Sequence, residues 1–137
     1  MTIVFKEEKY IHKNDLKALY EDVEWYAYTK DLDQLQQALL NSIFVLSAWE
    51  NDQLIGLTRV VGDGLTILYI QDILVLNSHQ NRGIATNMMN HVLEKYKDVR
   101  QKVLLTEEAP DVRHFYEKNG FDSCDKGTLV AFAKMKF

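Results

Sequence analysis

From Leu74 to Thr86 the chain reads Leu74-Val75-Leu76-Asn77-Ser78-His79-Gln80-Asn81-Arg82-Gly83-Ile84-Ala85-Thr86, and these residue types in this order suit the capture of a phosphate or pyrophosphate. A short apolar run stops at Asn77 and Ser78, and a helical pattern begins at Gly83. Arg82, Gly83, Ile84, Ala85 and Thr86 therefore offer backbone N–H groups with no intrahelical acceptor. Such donors, together with the positive end of the helix dipole, favour an anion. Gly83 has no Cβ to hold the ligand off, Ala85 is small enough for the helix to start close to a neighbouring strand, and Arg82 supplies a further positive charge.

The elements that must hold this loop are legible on both sides of it. Leu65 to Leu76 reads as a long strand in which Tyr69, Gln71, Ile73 and Val75 share one face and Ile70, Asp72, Leu74 and Leu76 the other, a local bulge aside. The helix from about Gly83 to Lys97 puts Ala85, Met88, Met89, Val92, Leu93 and Tyr96 on one apolar face. Lys102 to Thr106 is a short strand after that crossover helix, which predicts a parallel partner for the strand ending at Leu76. Pro110, favoured in a first turn, starts a further helix through Val112, Phe115 and Tyr116 that ends at Asn119-Gly120.

Upstream, residues 2–10 read as an edge strand, and Asn14 as the cap of a helix to about Val23 with Leu16, Leu19, Tyr20 and Val23 inward. Asp31 is expected to cap a second helix carrying Leu32, Leu35, Leu39 and Leu40. Between the two helices lie Trp25, Tyr26 and Tyr28, which fill the core or, as a set, wall a substrate pocket. Ile43 to Trp49 and Leu54 to Val61 form a hairpin around Glu50-Asn51-Asp52-Gln53, and Gly62-Asp63-Gly64, which lacks a following Gly-Lys-Ser/Thr, is a turn to the next strand. Thr128 to Phe137 is expected to close the sheet as a last strand.

The composition narrows the function classes. At 137 residues, 47% hydrophobic and net charge −4, the chain is expected to form one globular domain, residues 1–137, with a mixed α/β fold. The single cysteine, Cys124, permits no intramolecular disulfide, and no Cys/His spacing suggests zinc. A reducing, cytoplasmic setting fits. The first residues lack the pattern of a secretory signal, and no segment approaches the roughly 18 apolar residues of a membrane span. The acidic balance, with Glu21, Asp22 and Glu24 clustered, disfavours nucleic acid and suits an amine.

Gln80-Asn81-Arg82-Gly83-Ile84-Ala85 resembles the Q/R-x-x-G-x-G/A signature of the GNAT superfamily of acyl-CoA-dependent N-acyltransferases, and Phe115-Tyr116-Glu117-Lys118-Asn119-Gly120-Phe121 resembles that family's (L/F)Y-x-x-x-GF segment at the expected distance. The element order β-α-α-β-β-β-α-β-α-β is similar to the GNAT fold across nearly the whole chain. The resemblance implies acetyl-CoA as co-substrate, with the pantetheine arm along Leu74, Val75 and Leu76 in a gap between splayed strands, the pyrophosphate at Gln80 and Arg82 to Thr86, and the thioester near Asp72, Ile73 and Leu105. A small primary amine is the expected acceptor, a homodimer is left open, and no metal is expected, since no set of His, Cys, Asp or Glu stands at ligand spacing and acyl transfer from a thioester does not require one.

A lysine-like amine has a pKa of about 10, so a base must take its proton. The candidates are Asp72, Glu107 and Glu108, with His114 behind them. Tyr116 holds the family's usual position for the proton donor to the departing thiolate. Three positions depart from the family pattern: Asn77 for a frequent proline, Ala85 for the second glycine, and Ala109-Pro110 where many members carry an asparagine that contacts the cofactor. Arg113 is a candidate to compensate by reaching a phosphate, or to pair with Glu117. The competing expectation from another class is a non-catalytic acyl-CoA-binding or interaction module of the same fold; Tyr116 and the nearby carboxylates favour the enzyme.

Overall fold

The computed structural model describes residues 2–136. Residues up to Leu105 form one compact unit and those from Thr106 onward a second. The first unit is built on a five-stranded sheet in the order β1 (Val4–Lys6), β2 (Phe44–Glu50), β3 (Gln53–Gly62), β4 (Ile67–Val75) and β5 (Gln101–Val103). β1 to β4 run antiparallel and β4 to β5 parallel, as the crossover through α4 (Ile84–Lys95) requires.

The turns follow from their residues. Asn51 and Asp52 both take positive φ, 49° and 63°, the conformation that matches a two-residue hairpin to the twist of its strands. Gly62-Asp63-Gly64 is a turn and binds its own backbone: Asp63 Oδ1 accepts the N–H groups of Leu65, Thr66 and Ile67 at 2.8, 2.7 and 3.1 Å. Those bonds and the Thr66 hydroxyl hold the Asp63 carboxyl far below the usual carboxylate range. Gly62 is required there, since a Cβ would stand 2.4 Å from the Ile67 carbonyl oxygen.

Helices cover both faces of the sheet. Gly56 of β3 faces α4, where an added Cβ would meet the Met88 Cε at 3.3 Å, so the absent side chain lets the helix approach. Arg59, an odd number of residues further along the strand, faces the other way with its register partner Asp72, toward α1 (Lys13–Asp22). Leu16, Leu19, Leu35, Leu39, Ile55, Leu57, Leu68, Met88, Met89 and Val92 are all buried and make the two cores.

Several boundaries differ from expectation. α1 begins at Lys13 with His12 as its cap, because the His12 carbonyl already accepts from Asp15 and Leu16; Asn14 lies inside the first turn and caps nothing. Asp31 does cap α3 (Leu32–Leu40), accepting from the Gln34 N–H at 3.0 Å. The aromatic stretch is itself a one-turn helix, α2 (Tyr26–Thr29). The first strand spans only Val4–Lys6 of the expected 2–10.

In the second unit α5 (Pro110–Lys118) starts on its proline and ends at Gly120, whose φ is 91°. The expected closing strand over Thr128 to Phe137 is a correction: residues 128–136 are in no ladder, and Phe137 lies outside the described residues. Strand preference reflects packing against neighbours, and Leu129, Val130, Phe132 and Met135 are exposed.

Candidate functional site

β4 pairs with β5 only from Ile67 to Tyr69, opposite Gln101 to Val103. Beyond Tyr69 it continues to Val75 with no strand partner on that side among the described residues, so Ile70 to Val75 present an open edge of backbone donors and acceptors. The register with β3 shifts at the same place. Val60 faces Ile70 and Arg59 faces Asp72, which leaves Gln71 as the extra residue of a bulge. Leu74 and Val75 lie on this edge, and Leu76 anchors its end by donating its N–H to the Ile55 carbonyl at 2.9 Å.

The edge leads into the glycine loop. Gly83 caps α4 in the left-handed region, φ 80°, without any side-chain cap, and the first helical bond is Asn87 N–H to the Gly83 carbonyl. The N–H groups of Ile84, Ala85 and Thr86 thus keep no intrahelical acceptor. A Cβ at Gly83 would meet nothing within 4 Å, so the space beside the cap residue is open. Uncapped donors at a helix start are what a diphosphate needs.

The loop itself is held by side chains. Gln80 Nε2 donates to the Val75 carbonyl and to Asn77 Oδ1, both at 3.1 Å, tying the loop back to the end of β4. Asn77, standing where a proline is frequent, is clamped twice to the end of α1: its N–H donates to Asp22 Oδ2 and its Nδ2 to the Asp22 carbonyl, each at 2.7 Å. Hydrogen bonds here replace ring stiffness. Arg82 differs from expectation in having a protein partner: its Nη2 lies 3.4 Å from Glu50 Oε2, while His79 Nε2 lies 2.9 Å from Glu50 Oε1. His79 and Arg82 together hold the Glu50 carboxyl below its ordinary value.

The aromatic wall meets β4 at Asp72. Tyr20, Trp25 and Tyr28 pack edge to face or tilted, with ring centroids 5.1 to 6.1 Å apart. Tyr20 and Tyr28 donate their hydroxyls to Asp72 Oδ2 and Oδ1 at 2.8 and 2.7 Å, and Arg59 Nε donates to Oδ2 at 2.8 Å. Tyr26 points out and is exposed. Asp72, 2% exposed, has both oxygens engaged in an ion pair and two hydroxyl bonds, which is the environment of a structural carboxylate and not of a free base. Burial, then the Asp72 charge, pushes the Tyr28 hydroxyl up to about 12 and that of Tyr20 well above its usual value.

In the second unit Tyr116 is half-buried on α5, its ring edge-on to Phe121 at 5.9 Å. Burial raises its hydroxyl, and a hydrogen bond with Thr106 works the other way. Glu107 is exposed. Glu108 is occupied: Arg113 Nη2 donates to Oε1 at 2.9 Å and its Nε to Oε2, which holds Glu108 below its ordinary value. Arg113 also bonds Asp125 and Ser123, and Glu117 pairs with Lys126 and not with Arg113. Sequence reading missed Tyr20, Arg59, Glu50 and the Asp22 clamp. Arg59 carried a usable signal, because an arginine amid Leu54, Ile55, Leu57, Val60 and Val61 demands a buried carboxylate.

The family described as Acetyltransferase (GNAT) domain matches residues 8–135. The chain belongs to the GNAT acetyltransferase family. Among solved structures, a GNAT family acetyltransferase of Streptococcus pneumoniae is 30% identical with a TM-score of 0.87, 98% of each chain being covered. A Gibberella zeae protein named "Putative acetyltransferase" is 29% identical over 74% of this chain and 67% of its own length. AAC(6')-Iy, solved with the bisubstrate analogue CoA-S-monomethyl-acetylneamine, is 16% identical with a TM-score of 0.66 over 99% of this chain and 100% of its own, and shares the fold. GNAT acetyltransferases use an acyl-CoA and an acceptor, and the five-stranded mixed sheet is the GNAT fold. No helix among the described residues is long and apolar enough to cross a membrane.

Proposed function

We propose that residues 1–137 act as one GNAT domain that transfers the acetyl group of acetyl-CoA to a primary amine of a small molecule by direct attack. The observation that carries this reading is the open edge of β4 from Ile70 to Val75 running into the uncapped start of α4. The pantetheine amides pair with the edge at Leu74, Val75 and Leu76 as an added strand, and the diphosphate accepts from the N–H groups of Arg82 to Thr86. Gln80 shapes the loop. Arg82 contributes charge by exchanging Glu50 for phosphate.

In the reaction the amine nitrogen bonds to the thioester carbonyl carbon and the carbon–sulfur bond breaks. Backbone N–H groups at the bulge stabilise the oxyanion. Tyr116 gives its proton to the sulfur, and Glu107, the candidate carboxylate with neither a buried ion pair nor an arginine on it, takes the amine proton directly or through water. Asp72 and Glu108 support geometry. Trp25 and Tyr28 wall the acceptor, with Tyr26 at the rim. The single exposed Cys124 accords with a cytoplasmic protein.

A panel of primary amines with acetyl-CoA, read as free thiol release, tests the reading: arylalkylamines, polyamines and aminoglycosides cover the acceptor classes that aromatic and acidic walls favour. At least one should give acceptor-dependent release, and EDTA should leave its rate unchanged, because a thioester is already activated toward an amine. Release by none of them, or a rate abolished by EDTA and restored by zinc or magnesium, would overturn the mechanism.

Gly83→Asp should weaken acetyl-CoA binding about tenfold or more, since the aspartate brings a negative charge and a side chain into the space the diphosphate needs. Calorimetry measures the affinity and circular dichroism the fold, which should persist. Unchanged affinity would mean the diphosphate sits elsewhere.

A further inference from the structure

The bulge residue Gln71 is exposed on β4, at the start of the unpaired edge, and belongs to the polar network beneath it. Its Nε2 donates to the Tyr28 hydroxyl at 2.8 Å, and that hydroxyl donates to Asp72 Oδ1 at 2.7 Å. The direction of each bond is dictated by the one behind it. Asp72 is ion-paired with the buried Arg59 and accepts the Tyr28 hydroxyl on Oδ1, so the single proton of that hydroxyl points to Asp72. Only the lone pairs of that oxygen remain for Gln71, which can therefore meet it with its NH₂ and not with its carbonyl. Burial and the Asp72 charge keep the hydroxyl protonated throughout the neutral range. The Gln71 amide is thus fixed against flipping, with Oε1 turned away from Tyr28, and among the described residues no group donates to Oε1.

We propose that Gln71 is an acceptor-binding residue whose Oε1, oriented by the relay Arg59–Asp72–Tyr28, receives an N–H of the incoming amine and so selects substrates that donate at the reacting nitrogen. The inference rests on the amine acetyltransferase reading above and deepens it. Gln71 touches the substrate; Tyr28, Asp72 and Arg59 position it. A thioether of the same shape gains nothing from this oxygen, because a carbonyl oxygen rewards only a donor.

The test is steady-state kinetics of the wild type, Gln71→Met, Gln71→Glu, Tyr28→Phe and the Gln71→Met/Tyr28→Phe double variant, with the best primary amine of the panel. Calorimetric acetyl-CoA binding and a thermal melt accompany each. Gln71→Met keeps the length of the side chain and removes the oxygen. It should raise the amine KM about tenfold while kcat and acetyl-CoA affinity stay within about twofold. Gln71→Glu, which restores an accepting oxygen, should bring KM back toward the wild-type value. Tyr28→Phe frees the amide to flip and should raise KM by about threefold, and the double variant should be no worse than Gln71→Met alone, because both act through one oxygen. An unchanged amine KM in Gln71→Met, or additive losses in the double variant, overturns the role of Gln71 and leaves the acetyltransferase reading standing. A wild type that binds acetyl-CoA and releases thiol with no amine overturns both.

Discussion

Asp72→Ala is expected to lower the free energy of unfolding by about 3–5 kcal/mol in a urea titration. The expectation comes from what the substitution leaves behind. Arg59, 7% exposed, loses the carboxylate that compensates its charge, and the fully buried Tyr20 hydroxyl loses its acceptor. A buried guanidinium without a partner costs far more than the pair itself contributes over an apolar substitute. Asp72→Asn should lose less, since its carbonyl can still accept from one of the three donors, though not as an anion. A carboxylate acting chiefly as the catalytic base would behave in the opposite way: activity would vanish in both variants while stability changed little. A loss below about 1 kcal/mol for Asp72→Ala would show that the network is not what holds α1 and α2 against β4.

What the sequence made legible divides along a physical line. The Gly83 loop was readable because an uncapped helix start has local causes, a breaker before it and a glycine at the cap, and the structure places Gly83 in the left-handed cap position that these causes require. The turn at Asp63 and the cap at Asp31 were readable for the same reason: a short polar side chain satisfies N–H groups within four residues of itself. Partners distant in sequence were not. Asp72 reads in isolation as a strand carboxylate free to act as a base, and only the fold brings Tyr20, Tyr28 and Arg59 onto it. Arg82 likewise reads as a free charge until Glu50, on a different strand, is found beside it. The stretch after Thr128 shows the converse error. Its apolar residues have strand propensity, but a strand exists only through the ladder it joins, and none of residues 128–136 is in one.

Tyr116→Phe is expected to lower kcat by about 10²-fold or more with the best amine of the panel, and to change stability and acetyl-CoA affinity little. The substitution isolates one atom. The ring keeps its edge-on contacts with Phe115 and Phe121, 5.1 and 5.9 Å between centroids, while the proton proposed to reach the departing thiolate is gone. The pH profile distinguishes this role from loss of packing. Burial raises the Tyr116 pKa above the ordinary phenol value, about 10, so the acid is fully protonated through the neutral range. The wild-type kcat should therefore hold level there and fall only on an alkaline limb above that ordinary value. In the Phe variant this limb should be missing, because the group that titrates is absent. The measurement is a pH series of kcat for both proteins at saturating amine, with a pre-steady-state burst experiment to establish that chemistry limits turnover. A Phe variant that keeps near wild-type kcat and the same alkaline limb would remove Tyr116 from the reaction and assign protonation of the thiolate to water.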